Sequence, residues 1–138
     1  MERQDPGLPI DLNHFDRAQI NHSKADSSAI MKFSNENGHI HCIAQIHDAD
    51  RFPERASVHS WLYDRSGGHG IVPEKFPPGP NYMVGYAGGI NPDNVLDILD
   101  KIEANYPFWI DMETGVRDEN DKFDLNNVEK ICKLVYEH

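Results

Sequence analysis

The sequence predicts an α/β fold built on a parallel sheet with helical crossovers. Three observations lead there. Short runs rich in β-branched and aromatic residues end in glycine or polar punctuation. Two of the intervening segments carry apolar residues at the 3.6-residue period of an amphipathic helix. The second half then alternates strand, helix, strand, helix, the order that parallel strands with crossovers produce. At 138 residues the chain makes one domain, 1–138.

Residues 1–16 hold Pro6, Gly7 and Pro9 among polar residues and read as an irregular lead-in. Residues 18–21 form a short strand. In 25–37, Ala29, Ile30 and Phe33 share one helical face, with Gly38 placed to end it. Residues 41–47 alternate as a strand, with Cys42, Ala44 and Ile46 on one face and His41, Ile43, Gln45 and His47 on the other. A short polar helix fits 49–57, limited by Pro53. A strand over 58–63 is followed by the flexible loop Ser66-Gly67-Gly68-His69-Gly70, and four prolines between 72 and 81 exclude a helix there. The strand 82–87 stops at Gly88-Gly89. Asn91 and Pro92 suit the cap and first turn of a helix whose stripe is Val95, Ile98, Leu99 and Ile102. Residues 107–112 form the last strand. Asp124 caps a final helix with the stripe Leu125, Val128, Ile131, Cys132 and Val135.

Thirteen Lys and Arg against 23 Asp and Glu leave a net charge of -10, a field that repels nucleic acid and anionic membrane. No apolar run approaches the roughly 20 residues that span a bilayer, and the first residues lack the apolar core of a signal peptide. A cytoplasmic location is the expectation. The two cysteines match neither a metal-ligand spacing nor a disulfide framework and read as plain buried or half-buried thiols. The eight histidines fall in no metal-binding framework, so neither metal nor cofactor is expected.

In parallel α/β folds the active site lies beyond the carboxyl ends of the strands. Three segments fall there. Asp64 closes a strand beside the glycine loop Gly67, Gly68, His69 and Gly70, where a carboxyl can serve as general acid. Gly88-Gly89 before a helix offers a main-chain cradle for phosphate. Thr114-Gly115 follows the last strand and strengthens that reading, because barrel enzymes commonly grip phosphate with the loops after their last two strands.

These segments together resemble phosphoribosylanthranilate isomerase, a (β/α)₈-barrel family of tryptophan biosynthesis. The matching residues are Leu62-Tyr63-Asp64 with Gly67 to Gly70, then Ala87-Gly88-Gly89-Ile90-Asn91-Pro92-Asp93-Asn94-Val95, then Ile110-Asp111-Met112-Glu113-Thr114-Gly115-Val116. Gln45-Ile46-His47 is a weaker fourth match. The likeness is clearest over residues 58–135. It implies an Amadori rearrangement of a phosphorylated aldose amine to a ketose, with Asp64 as the acid. Gly88, Gly89, Thr114 and Gly115 would then hold phosphate, and Gly67, Gly68, His69 and Gly70 would form the loop over the substrate.

The chain also departs from that pattern. The family's base, a cysteine in a Lys-hydrophobic-Cys-Gly motif at its first strand, has no counterpart here, and His47 is the strand-end residue placed to substitute. Glu113 stands where small hydroxylated residues are usual, and a carboxylate there repels phosphate unless it points away. A complete barrel needs roughly 200 residues or more. The five strands resemble the third, fourth, fifth, seventh and eighth, with room for a short sixth between Gly70 and Phe76. The expected architecture is therefore a partial barrel of five or six parallel strands, completed by a second copy or by an amino-terminal barrel partner. An open doubly wound parallel sheet is the alternative. The functional alternatives are a non-catalytic module binding a sugar phosphate or nucleotide, or an inactive truncated family member.

Overall fold

The computed structural model describes residues 11–21, 27–54, 60–66 and 69–137. The expectations for residues 1–10, for Gly67 and Gly68, and for the segments 22–26 and 55–59 lie outside the described residues. Five strands follow in order: β1 (Arg17–Ile20), β2 (His41–Ile46), β3 (Ser60–Tyr63), β4 (Val84–Ala87) and β5 (Phe108–Asp111). Among the described residues three α-helices accompany them: α1 (Ser27–Glu36) between β1 and β2, α2 (Val95–Lys101) between β4 and β5, and α3 (Leu125–Tyr136) after β5.

All four strand pairings are parallel, and the spatial order equals the sequence order, β1-β2-β3-β4-β5. That order decides which faces are covered. Right-handed crossovers that always step in one direction put their connections on one side of the sheet. Ile30 of α1, Val95 and Ile98 of α2, and Leu134 of α3 accordingly join a single core with Ala44, Trp61, Tyr63, Val84 and Tyr86. The doubly wound alternative is corrected on this point, since it needs a reversal of strand order and helices on both faces.

Alternation then sorts the strands. Ala44, Trp61, Tyr63, Val84, Tyr86, Phe108 and Ile110 face the helices. Ile43, Leu62, Ala87 and Trp109 form a small second core on the opposite face. Tyr86, fully buried, is the hub of the helix side, with edge-on contacts to Phe52, Phe76 and Phe108 at 5.5, 5.7 and 5.6 Å between ring centroids. Its hydroxyl donates to the Pro77 carbonyl at 3.1 Å, and burial pushes its pKa up to about 12. At the amino end of the opposite face, His41 Nε2 hydrogen-bonds the buried Ser60 hydroxyl at 2.7 Å.

Several local expectations shift. Residues 49–54 form bends and open chain instead of a helix, as Pro53 removes a donor and fixes its φ. Gly70 to Phe76 contains no strand, and β3 pairs directly with β4. Helix α2 begins at Val95, later than Asn91-Pro92 suggested. The Asn91 side chain nevertheless works as a cap, accepting from the Asp93 and Asn94 amides at 2.9 and 3.2 Å. Asn94 Oδ1 answers by accepting from the Asn91 amide at 2.8 Å, a reciprocal arrangement like a capping box. In α3 the inward stripe is Val128, Ile131, Leu134 and Val135, whereas Leu125 and Cys132 are exposed. Cys132 is therefore not the buried or half-buried thiol expected, while Cys42 is buried. Among the described residues, no helix is long and apolar enough to cross a membrane.

Candidate functional site

One cleft of about 180 Å³ opens at the carboxyl ends of the strands. Every strand contributes to it: Gln19 from β1, Gln45 from β2, Asp64 just after β3, Ala87 from β4 and Asp111 from β5. The two outermost strands thus line the same space, so the sheet curls around it. The contributing positions share the parity of Ile43 and Leu62, the face away from the helices.

Asp64 prolongs the β3 ladder by donating its amide to the Ile46 carbonyl at 2.9 Å. This sets its side chain on the cleft face, where it is only 6% exposed. Its Oδ1 accepts from the Ser66 amide at 3.1 Å and from the Ser66 hydroxyl at 2.8 Å. The Ser66 oxygen in turn accepts from the Gly70 amide at 3.2 Å, which ties the glycine loop to the strand end. His47 donates from Nδ1 to the Asp64 carbonyl at 2.8 Å. A carbonyl oxygen can only accept, so the neutral ring carries its proton on Nδ1 and its lone pair on Nε2. His47 does not line the cleft.

Gly88 and Gly89 lie at φ +110° and +64°, conformations that a side chain strains. Loop 70–72 also packs on them. A Cβ on Gly88 would stand 2.8 Å from the Ile71 carbonyl oxygen, and one on Gly89 would stand 2.5 Å from that of Gly70. Gly115 is equally constrained, because a Cβ there would overlap the Ile90 carbonyl. The loops after β4 and β5 are therefore interlocked at their glycines, and Thr114 opens a 3₁₀ turn, Thr114–Val116, beside them. All four phosphate-site candidates, Gly88, Gly89, Thr114 and Gly115, line the cleft together with Asp64 and Gly70. His69 does not; it is exposed, and its amide donates to the Ser66 carbonyl at 3.2 Å.

The reading from sequence included Asp111 in the strand-end segment 110–116 but gave it no role, and the structure puts it in the cleft lining. It pairs with Ala87 in the ladder and is half-buried. Burial pushes its carboxyl upward from the ordinary value, and the charge of Asp64 pushes it the same way. A main-chain hydrogen bond from Met112 opposes the shift, and Glu113 adds to it. The sequence did hold a signal: Asp111 is the one charged residue in the run Phe108-Trp109-Ile110-Asp111. Gln19 and Asn21 were likewise missed, because nothing local shows that β1 bends toward β5.

Glu113 also lines the cleft, and its carboxylate is paired. Arg117 Nη2 holds its Oε1 at 3.0 Å, and its side chain is 80% exposed. Among the described residues, the cleft lining includes no Lys, Arg or His. A bound anion would there rely on main-chain N–H groups. Among the described residues, no group of three or more His, Cys, Asp and Glu is arranged to hold a metal ion. Compared with family models, curated proteins and solved structures, the chain shows no match.

Proposed function

We propose that this protein is a phosphoribosylanthranilate isomerase-like chain whose cleft is built for aldose–ketose isomerisation of a phosphorylated sugar amine. The observation that carries the reading is convergence. Asp64, Gly88-Gly89 and Thr114-Gly115, spread over 52 positions of sequence (64–115), line one cleft at three successive strand ends. In this reading the curled, singly wound sheet is the carboxyl-terminal portion of a (β/α)₈ barrel. Main-chain amides of the two glycine turns hold the phosphate, and Asp64 transfers a proton. The outer edges of β1 and β5 then take a second copy of the chain or a separate amino-terminal barrel segment, either of which would close the ladder.

One observation favours a second reading, a phosphate-binding module without catalysis. Neither cysteine lines the cleft: Cys42 is near the start of β2 and Cys132 is on the exposed side of α3. The two readings part in one experiment. The chain is assayed for turnover of N-(5-phosphoribosyl)anthranilate and, by ligand-observed NMR, for binding of ribose 5-phosphate. Turnover that Asp64→Asn lowers by about 10²- to 10⁴-fold, with binding retained, supports the isomerase. Binding without turnover supports the module. Neither binding nor turnover overturns both.

A further inference from the structure

The isomerase reading assigns the phosphate and the acid but not the group carried by the amine nitrogen. We propose that Gln19, Asn21 and Gln45 form the subsite for that amine substituent, and that the site prefers a neutral hydrogen-bonding substituent to a carboxylate. The inference rests on the isomerase reading, keeps Asp64 as its acid, and narrows the class of amine.

Strand order sets the direction of the ligand. The glycine turns follow β4 and β5, Asp64 follows β3, Gln45 is on β2, and Gln19 and Asn21 are on and just after β1. Phosphate cradle, acid and side-chain amides thus succeed one another across the sheet, and all of them line one cleft. A phosphorylated pentosylamine carries its phosphate and its nitrogen at opposite ends of the sugar. With the phosphate on the glycine turns and the ring at Asp64, the nitrogen points toward β2 and β1. Neighbouring strands lie about 4.8 Å apart, so a substituent reaches Gln45 one strand beyond Asp64 and Gln19 two strands beyond.

The ladder places the three amides together. Gln45 is paired with Leu62 and Gln19 with Ile43, which puts both side chains on the cleft face. Ile20 is paired with Ala44, so Asn21 comes level with Gln45. Gln19 Nε2 donates to Asn21 Oδ1 at 2.9 Å, which orients the two amides against each other.

Their chemistry selects the partner. A primary amide offers two N–H donors and a carbonyl acceptor. A neutral group that both donates and accepts satisfies all of them. A carboxylate only accepts, so it sets its charge against the amide oxygens and loses its water with no cation in exchange. The strong partner for a carboxylate is a guanidinium fork, and among the described residues the lining includes no Lys, Arg or His. Its charge-bearing side chains, Asp64, Asp111 and Glu113, are all carboxyls. The phosphate meets different conditions at the other end, where main-chain N–H groups receive it and Arg117 pairs Glu113 at 3.0 Å.

The test measures kcat/KM of the full chain on two substrates of one shape. They are N-(5-phosphoribosyl)anthranilate and N-(5-phosphoribosyl)-2-aminobenzamide, in which a carboxamide replaces the carboxylate. Wild type should act on both and prefer the carboxamide by about tenfold or more, because a site of hydrogen-bonding groups discriminates against a partner that leaves them unmatched. Gln45→Leu sets an apolar side chain beside Leu62, its ladder partner, and an unchanged thermal midpoint checks that the variant folds. Its kcat/KM on the carboxamide should fall about tenfold, and its preference should shrink toward one. An active wild type that prefers the carboxylate, or prefers neither, overturns the inference alone. So does a folded Gln45→Leu variant that keeps the wild-type preference. A wild type inert on both substrates overturns the isomerase reading and the inference with it.

Discussion

The two faces of the sheet bury different chemistry. Under the helices, Tyr86 is packed by Phe52, Phe76 and Phe108, and the strand residues are almost wholly apolar. Toward the cleft, Ile43, Leu62, Ala87 and Trp109 form a small apolar layer, and the strand ends beyond it present Gln45, Asp64 and Asp111. Apolar area removed from water stabilises the fold, whereas a buried carboxylate costs free energy unless it is hydrogen-bonded. The contrast teaches that the helix face supplies most of the apolar burial, whereas the cleft face buries polar groups that depend on hydrogen bonds. Asp64, 6% exposed and supported by Ser66, is the clearest of these.

That comparison can be broken from either side. The largest effect is expected from Tyr86→Ala, which empties the hub of the helix face. It should cost about 3–5 kcal/mol in denaturant unfolding, the range for large aromatic truncations. A loss below 1 kcal/mol would show that the rings are not the centre of stability.

Gly115→Ala tests the interlocked loops. Its new methyl meets the Ile90 carbonyl, so the β5 loop must move, at about 1–3 kcal/mol as in other overpacked sites. Ribose 5-phosphate binding should fall with it. Unaltered binding would remove the two loops from the anion site.

Asp124→Ala probes the periphery of the helix face. Asp124 accepts from the Asn126 amide at 2.9 Å at the start of α3, and losing this cap should cost about 1 kcal/mol without touching the cleft.

The smallest effect is a pH dependence, and its sign separates the faces. The Asp111 carboxyl is raised in the folded state, so the folded protein binds more protons there than the unfolded chain. Its contribution to stability is full below the ordinary carboxylate value and is lost as pH rises through the raised folded value. Asp111→Asn lacks that loss. Its denaturant midpoint relative to wild type should therefore climb as pH rises out of the acid range. A constant difference across pH would contradict the upward shift.

The fold was largely readable along the chain because strands and helices leave local periods. The strands at 41–47, 82–87 and 107–112 were each found within two residues of their observed limits, since alternation and glycine punctuation are short-range signals. The final helix was placed correctly by the Asp124 cap, yet its inward stripe was misread at Leu125 and Cys132. Leucine and cysteine are apolar wherever they stand, and only packing against the sheet decides which side of a helix is covered.

The site divides along the same line. Asp64, Gly88-Gly89 and Thr114-Gly115 were visible from sequence, because a strand end followed by glycine is a local pattern. By itself the sequence determined the element types, the capping residues, the glycines that only a close approach or positive φ explains, and the carboxylate at the end of β3. Tertiary structure alone decided that β1 and β5 curl toward one cleft, that Asp111 stands level with Asp64 across Ala87, and that Arg117 pairs with Glu113 at the cleft. The physical reason is range. Dihedral preferences and caps act over a few residues, whereas burial and like-charge proximity are properties of chain segments that meet only after folding.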